Sequence, residues 1–251
     1  MNNPGQQLSW QIATVAALRP ETASAKTIVL DVPDWSGHLA GQHIDLRLTA
    51  EDGYSAQRSY SLATFPGPTS RIEITIQAVE GGEVSSFLLT ELRVGDQFEV
   101  RGPIGGYFTW LPTSVAPLML IGGGSGVVPL IAMLRTRQTK SVLTPARLLY
   151  SSRTVDRLLF RTDLLRLEAA AAGPSVVHTL TRGAPAGWRG EHGRVDRTML
   201  QRRAIDPALG PDVFVCGPTS FVEVVAEHLL ALGHAEVKVR TERFGPTGET
   251  P

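Results

Sequence analysis

The chain has 251 residues and a mass of 27.0 kDa, and its 24 basic and 24 acidic side chains give a formal net charge of +0. A hydrophobic fraction of 42% excludes a disordered chain, because it supplies enough apolar side chains for folded cores. Zero net charge gives no global attraction to nucleic acid or to an anionic membrane. The single cysteine excludes an internal disulfide and an iron–sulfur cluster held by four thiolates of this chain alone.

The amino terminus and the apolar runs predict a soluble, cytoplasmic protein that does not enter a membrane. Residues 1–7 are polar and contain no apolar segment of a secretory signal peptide. The longest apolar runs, residues 117–121 and 127–134, are separated by glycines. Neither run approaches the ~20 residues that a transmembrane helix needs.

The first part of the chain has the period-two pattern of antiparallel strands. Residues 71–79 alternate apolar and polar side chains, as a strand with one buried face does. Weaker forms of the pattern predict strands over residues 10–18, 26–32, 42–48 and 97–101. The turns between strands are predicted at residues 19–21, 33–34, 51–53 and 66–68. With one helix over residues 84–91, this part is predicted to be an antiparallel β-barrel.

After residue 112 the pattern changes to alternating strands and helices. The strands are predicted at residues 117–121, 147–150, 176–180, 213–216 and 237–240. The helices are predicted at residues 127–137, 158–171 and 220–232. Such alternation predicts an open parallel sheet with helices on both faces. We therefore divide the chain into a β-barrel domain, residues 1–113, and a Rossmann-like α/β domain, residues 114–251.

Two motifs of the α/β part follow predicted strands. The glycine-rich run Gly-Gly-Gly-Ser-Gly occupies residues 122–126 and precedes a helix. Glycines let the backbone approach a pyrophosphate, and a helix N-terminus offers free N–H groups; a tight turn without a ligand is the alternative. Cys216-Gly217-Pro218 lies at the carboxyl end of a strand, where ligands bind in parallel sheets. Packing in the core is the alternative for Cys216.

Two motifs of the barrel part are suited to a ligand that has an aromatic ring and phosphate groups. Arg58-Ser59-Tyr60-Ser61 ends a strand and offers a forked phosphate donor, a flat stacking face and hydroxyl groups. An ordinary strand with an exposed arginine is the alternative. Residues 81–86, Gly-Gly-Glu-Val-Ser-Ser, enter the predicted helix. This helix end could hold a phosphate, or Ser85 or Ser86 could simply be its N-cap.

The order of the motifs resembles the ferredoxin–NADP reductase superfamily of flavoenzymes. R-x-Y-S is followed by G-G-x-x-S, G-P-x-G, G-G-G-S-G, C-G-P and a near-terminal E-R-F, so the resemblance extends from about Trp10 to Phe244. Within this superfamily the chain resembles short bacterial reductases that lack a fused ferredoxin domain. The resemblance implies an enzyme that passes electrons from NAD(P)H through FAD to a separate one-electron acceptor, such as an iron–sulfur protein.

The resemblance also implies roles for residues of the barrel. Arg58 would pair with the flavin pyrophosphate, Tyr60 would pack against the isoalloxazine ring, and Ser61 would lie near flavin N5. Ser59 belongs to the same cofactor-binding motif. The flavin phosphates would be held by Gly82, Val84 and Ser85.

In the α/β part, the resemblance implies contacts with both cofactors. The pyrophosphate of the nicotinamide nucleotide would be contacted by Gly123, Gly124 and Ser125. The nicotinamide pocket would be lined by Cys216, Gly217 and Pro218. Glu242 and Phe244 would close the flavin from the carboxyl-terminal side, where either Phe244 or the seven residues after it cover the ring. The predicted catalytic residues are therefore Ser61, Cys216, Glu242 and Phe244.

The end of the second α/β strand favours NADPH over NADH. Ser152 and Arg153 end this strand, and Arg157 and Arg161 follow. No acidic residue stands at the strand end to bind a ribose diol, whereas serine and arginine suit a 2′-phosphate. A solvated helix face with two like charges is the alternative.

Other functions stay open at this point. The chain could be a free-flavin or ferric reductase, in which flavin is a substrate, or a regulatory subunit that binds flavin or nucleotide without catalysis. FMN could replace FAD. The six histidines show no ligand spacing, so we expect no metal site. We expect the protein to be a monomer that binds no nucleic acid.

Overall fold

The computed structural model describes residues 8–67, 69–79 and 81–245. Three features discussed above therefore lie outside the described residues: the amino-terminal residues 1–7, Pro68 of the fourth predicted turn, and the tail from residue 246. Within the described ranges, no helix is long and apolar enough to cross a membrane.

The first half of the chain forms a six-stranded antiparallel barrel. Its strands β1 to β6 are Gln11–Thr22, Ala25–Asp31, His43–Thr49, Ser55–Ser61, Arg71–Gln77 and Gln97–Ile104. The strand order is β4-β3-β6-β1-β2-β5. A bridge between Leu62 and Ile74 joins the end of β4 to β5, the two edges of the sheet, and closes the barrel.

The alternating pattern of the strands fills the barrel interior. The fully buried side chains include Ile28, Leu30, Ile44, Ile72 and Ile74. Burial of each such side chain stabilises the fold by about 1.5–3 kcal/mol relative to exposure. Helix α1, Glu83–Thr90, packs on the same core through Val84 and Leu88.

The turn predicted at residues 19–21 is wrong, because β1 continues to Thr22 and the hairpin turn falls at Ala23 and Ser24. Pro20 lies inside the strand, opposite Lys26. The pairing of β1 with β6 ends at Thr14, so no strand in the described ranges pairs with that edge of β1 at Pro20. Proline is tolerated at such an edge because the hydrogen bond that it cannot donate is not needed there.

The second half of the chain forms a six-stranded parallel sheet. Its strands β7 to β12 are Leu118–Gly123, Ala146–Ser152, Ser175–Leu180, Glu191–His192, Asp212–Pro218 and Val239–Phe244. The order is β10-β9-β8-β7-β11-β12, and every neighbouring pair is parallel. The helices α2 to α5 are Val127–Thr139, Arg161–Ala169, Arg197–Arg203 and Thr219–Ala231.

The helices cover both faces of this sheet, as the alternating pattern predicts. Helices α2 and α3 share one apolar cluster with barrel-side residues that include Ala63, Phe108 and Trp110. Helices α4 and α5 share a second cluster on the other face. The two-domain fold with an antiparallel barrel and an α/β sheet is thus confirmed. The boundary predicted between residues 113 and 114 falls in the connection between β6 and β7 and stays a prediction.

Four elements of the sheet domain differ from the sequence-based prediction, and one of them, the short strand β10, was not predicted at all. Helix α3 is shorter than residues 158–171, and α4 was not predicted although Asp196 caps it by accepting a hydrogen bond from the Met199 N–H at 2.7 Å. The last strand begins at Val239 rather than at residue 237, because a 3₁₀ turn occupies Glu236–Lys238. Its pairing with β11 then continues to Phe244.

Candidate functional site

The ends of three neighbouring parallel strands bring the main motifs together. Cys216 of β11 lies opposite Gly122 of β7 on one side and opposite Glu242 of β12 on the other. The Sγ atom of Cys216 is 3.7 Å from Oε2 of Glu242. Strand register alone therefore places the glycine-rich run, the Cys-Gly-Pro turn and the near-terminal glutamate at one edge of the sheet.

The glycine-rich run touches the Cys-Gly-Pro turn directly. A Cβ atom on Gly126 would lie 2.1 Å from the carbonyl oxygen of Cys216, so only glycine fits this approach. Gly124 has a φ of +56°, a left-handed conformation that favours glycine. Helix α2 follows at once and, within the described residues, no side chain caps its N-terminus. The N–H of Val127 already donates to Gly124 O and Ser125 O, and Pro129 has no N–H, so an anion here would be bound by the N–H groups of the glycine-rich run itself.

Burial changes the protonation of the Cys216–Glu242 pair. Burial raises the pKa of Glu242 to about 7, although the neighbouring Cys216 and Ser61 side chains lower it in part. Burial and the nearby Glu242 raise the pKa of Cys216 well above its ordinary value. Cys216 is therefore a neutral thiol at pH 7, whereas Glu242 can hold or release a proton there.

Ser61 approaches this pair from the barrel. It is the last residue of β4, and its Oγ atom is buried without a hydrogen-bond partner among the described residues. The hydroxyl is near enough to Glu242 to influence its pKa, but the two groups are not in hydrogen-bonding geometry. A buried polar atom without a partner costs free energy, which favours a ligand atom at this point.

Alternation along β4 separates the residues of the Arg58–Ser61 motif. Arg58 and Tyr60 share one face of the strand. Burial raises the pKa of Tyr60 to about 12, and the guanidinium of Arg58 opposes this rise. Arg58 is exposed and, among the described residues, donates only to its neighbour's carbonyl, Gln57 O, at 2.7 Å. Ser59 points the other way and donates to Asp45 Oδ1 at 2.7 Å, so the motif brings Arg58 and Tyr60 together but not Ser59.

The N-terminus of α1 has no side-chain cap among the described residues. The helix begins at Glu83 with Gly82 as its N-cap residue, so an N-cap role for Ser85 or Ser86 is wrong. Both serines lie in the first turn, and their hydroxyls donate to Gly82 O at 3.1 Å and 2.8 Å. The side chain of Val84 is buried in the barrel core. The N–H of Gly82 donates to Val79 O at 2.9 Å, which speaks against its predicted phosphate contact, and the N–H of Ser86 donates to Gly82 O at 3.0 Å. A phosphate at this turn would therefore be bound by the backbone N–H groups of residues 83–85.

The predicted phosphate-binding arginines lie in two places. Arg153 follows β8 directly, exposed, and its carbonyl accepts a hydrogen bond from the Arg182 N–H at 2.7 Å. Sequence reasoning missed Arg182, because only the pairing of β8 with β9 brings the ends of these strands together. Ser152 is buried and donates to Thr154 O at 3.2 Å. Arg161 instead begins α3 and lines a cleft of about 630 Å³ with Arg19 and Arg135.

The carboxyl-terminal strand links the site to the barrel. Phe244 lies opposite Pro218 and packs, partly buried, on the apolar cluster beneath the barrel. Tyr107, which was not predicted, donates from its hydroxyl to Val239 O at 3.3 Å. Arg240 donates to Thr109 O at the same distance. These contacts hold β12 against the segment that leaves the barrel.

Comparisons with known proteins agree with this arrangement. The oxidoreductase FAD-binding domain family matches residues 18–109, and the oxidoreductase NAD-binding domain family matches residues 120–227. Ferredoxin–NADP reductase B of Sorangium cellulosum is 32% identical over 246 residues, which cover 92% of this chain and 96% of that protein.

Two further comparisons extend the range of relatives. The glycine betaine monooxygenase reductase subunit of Pseudomonas aeruginosa is 28% identical over 208 residues, which cover 82% of this chain but only 56% of the relative. The chain thus spans a little more than half of that protein. The FAD/NAD-binding domain of a Vibrio cholerae nitric oxide dioxygenase has the same fold, with a TM-score of 0.82, 25% identity and coverage of 94% of this chain and 99% of that one.

Proposed function

We infer the function from one premise, that the chain belongs to the ferredoxin–NADP reductase superfamily of flavoenzymes. It is an FAD-dependent NAD(P)H oxidoreductase that passes electrons through the flavin to a partner. The observation that supports this most is the meeting of three side chains from different strands: Ser61 from the barrel, and Cys216 and Glu242 from the sheet domain. They meet where a flavin held by the barrel would face a nucleotide held by the sheet.

The residues of the barrel fit FAD. The Oγ of Ser61, which has no partner in the described part of the chain, and the half-buried ring of Tyr60 suit a polar ring system. The exposed guanidinium of Arg58 and the N-terminus of α1, which no described side chain caps, suit a pyrophosphate. Bound there, FAD would supply the exchange between two-electron chemistry with the nicotinamide and one-electron chemistry with the acceptor.

We assign each catalytic side chain a separate task. With FAD bound, Ser61 would orient the flavin edge through its buried hydroxyl, and Glu242 beside it would hold a proton. Glu242 holds this proton near pH 7, because burial raises its pKa to about 7. Cys216, neutral and fully buried, shapes the nicotinamide pocket without acting as a nucleophile. Phe244 packs beside Pro218 and keeps water from the pocket on the carboxyl-terminal side.

The sheet domain binds the nicotinamide nucleotide, and we propose that it prefers NADPH. Gly123, Gly124 and Ser125 would contact the pyrophosphate just before the N-terminus of α2. Arg153 and Arg182, side by side at the ends of neighbouring strands, bind the 2′-phosphate. The position of Arg161 in the other cleft speaks against its contact with this phosphate.

The electron acceptor is proposed to be a separate one-electron protein, such as an iron–sulfur protein. A plant-type cluster needs four cysteines, and this chain has 1. The relative in Pseudomonas aeruginosa is named as the reductase subunit of a monooxygenase. From the sequence we further propose that the protein works as a monomer in the cytoplasm, which gel filtration and cell fractionation test.

Flavin retention distinguishes this function from its alternatives. The purified protein is expected to be yellow, to release FAD rather than FMN on denaturation, and to bleach anaerobically with NADPH. The variant Arg58→Ala should lose a charge-assisted contact and retain flavin at least about tenfold more weakly. A colourless protein that reduces added flavin would indicate a free-flavin reductase. A yellow protein that neither nucleotide bleaches would indicate a regulatory subunit.

A further inference from the structure

Arg135 of α2 contacts three groups that belong to both halves of the chain. Its Nη1 atom donates to Ala63 O at 2.8 Å and to Glu73 Oε2 at 2.9 Å, both in the barrel. Its Nη2 atom donates to the carboxylate of Asp163 in α3. The guanidinium also lies 5.5 Å from the centre of the Phe160 ring. One side chain therefore joins the barrel to two helices of the sheet domain.

The two elements that Arg135 joins each adjoin a proposed cofactor site. Ala63 stands two residues after Ser61, and its own N–H donates to Glu73 O at 2.8 Å. At the other end, α2 begins at Val127 immediately after the glycine-rich run. Arg135 is eight residues further along, about 12 Å down the helix axis. The helix that presents the nucleotide loop is thus fastened to the segment that follows the flavin-facing serine.

Arg135 and its two carboxylate partners are largely buried and paired, which restricts the geometry of this link. The side chains of Arg135, Glu73 and Asp163 are only 14%, 18% and 26% exposed. Burial alone would raise the pKa of Asp163, but the guanidiniums of Arg135 and Arg166 hold it below its usual value. Glu73 and Asp163 each have a second partner in their own half: Arg19 at 2.7 Å and Arg166 at 3.2 Å. The pairs with Arg19 and Arg166 do not cross between the halves.

We propose that Arg135 is a positioning residue for hydride transfer, which holds the Ser61 segment and the nucleotide loop at a fixed separation. The proposal rests on the proposed function. Hydride transfer needs the reacting atoms about 3–3.5 Å apart, and a misplacement of about 1 Å can lower the rate a hundredfold. A forked guanidinium that bonds a carbonyl and two carboxylates at once resists such a shift better than a single ammonium would.

The test compares Arg135→Met with two matched controls. Arg135→Met keeps the length and packing of the side chain but removes the link, while Glu73 and Asp163 keep Arg19 and Arg166. Arg19→Ala and Arg166→Ala each remove one ion pair from the same carboxylates within one half. Other contacts between the halves remain, such as the 3.0 Å bond from the Phe160 N–H to Glu21 Oε2. We therefore expect all three variants to fold and to retain flavin.

Stopped-flow reduction by NADPH and NADP⁺ titration supply the readouts. Arg135→Met should slow flavin reduction at saturating NADPH at least tenfold, with the affinity for NADP⁺, measured by calorimetry, within about twofold of wild type. The long-wavelength absorption band of a nicotinamide stacked on the flavin should weaken in this variant. Both controls should match the wild type. If Arg135→Met does not fold, Arg135→Lys should show the same pattern to a smaller extent.

The outcomes separate this proposal from the proposed function. A wild-type protein that neither nucleotide reduces would overturn the function, and the positioning role with it. Normal reduction of the wild type, with Arg135→Met or a folded Arg135→Lys equally fast and its absorption band intact, would overturn the positioning role alone. A rate loss of the same size in Arg19→Ala or Arg166→Ala would also overturn it, because the effect would then not depend on the link between the halves.

Discussion

The buried environment of Glu242 changes the pKa of its carboxyl group. The sequence motif E-R-F predicted a glutamate near the flavin, but only the register of β12 with β11 places it against Cys216. Its pKa of about 7 follows from burial, which depends on the packing of two domains. The sequence specifies the residue type but not how the two domains pack around it, so the raised pKa of Glu242 could not be predicted from the sequence.

The raised pKa of Glu242 predicts a pH-dependent stability. Its contribution is fully present below the ordinary pKa near 4.5 and is lost as the pH rises through about 7. A shift of this size corresponds to a contribution on the order of 3 kcal/mol. Urea unfolding at pH 5 and pH 8 should show a smaller pH dependence for Glu242→Gln than for the wild type. The exposed Glu223→Gln is the control, and an unchanged pH dependence in Glu242→Gln would contradict the assignment.

Arg153 and Arg182 predict the nucleotide preference. Replacement of either arginine by alanine should remove a charge-assisted contact and raise KM for NADPH about tenfold or more, while KM for NADH stays within about twofold. Arg197→Ala, an exposed arginine of α4, controls for the loss of positive charge. Equal effects of Arg153→Ala on both nucleotides would show that this end of β8 does not bind the 2′-phosphate.

At the scale of elements, the sequence predicted what local patterns determine. Period-two alternation identified β5, and the residues from 220 onward identified α5, because each pattern reflects one buried face. The turn predicted at Pro20 was wrong, because tertiary pairing left that strand edge free. The two-residue β10 has too few residues to show a pattern. In the sequence, Arg135 is one polar position on a predicted helix, so its hydrogen bonds to the barrel could not be predicted.

The close approach of Gly126 to the Cys216 carbonyl predicts that a larger side chain at residue 126 destabilises the fold. Gly126→Ala places a Cβ atom against the carbonyl of Cys216, which must push the two loops apart. We expect the free energy of unfolding to fall by about 1–3 kcal/mol. Gly106→Ala, where the added Cβ meets open space, should change it by less than about 0.5 kcal/mol. Urea unfolding measures both, and equal stabilities of the two variants would contradict the close approach.

At the scale of the whole molecule, the zero net charge is the sum of a negatively charged first half and a positively charged second half. Residues 1–113 carry 7 basic and 12 acidic side chains, whereas residues 114–251 carry 17 and 12. The positive half is the one that binds the polyanionic nucleotide, and attraction between the halves agrees with the ion pairs of Arg135. The fold class and the order of the motifs were predictable from the sequence. The alignment of the two halves was not, because it depends on contacts more than 60 residues apart, such as that between Arg135 and Ala63.

An anaerobic electron titration tests the central claim most directly, that bound FAD takes two electrons from a nicotinamide and passes them on singly. Purified protein is titrated with NADPH in an absorption cell, and a one-electron acceptor protein is then added in steps. We expect about one NADPH per bound flavin to bleach the spectrum completely and about two equivalents of acceptor to restore it. A spectrum that NADPH and NADH leave unchanged, or a bleached protein that no one-electron acceptor reoxidises, would contradict the account.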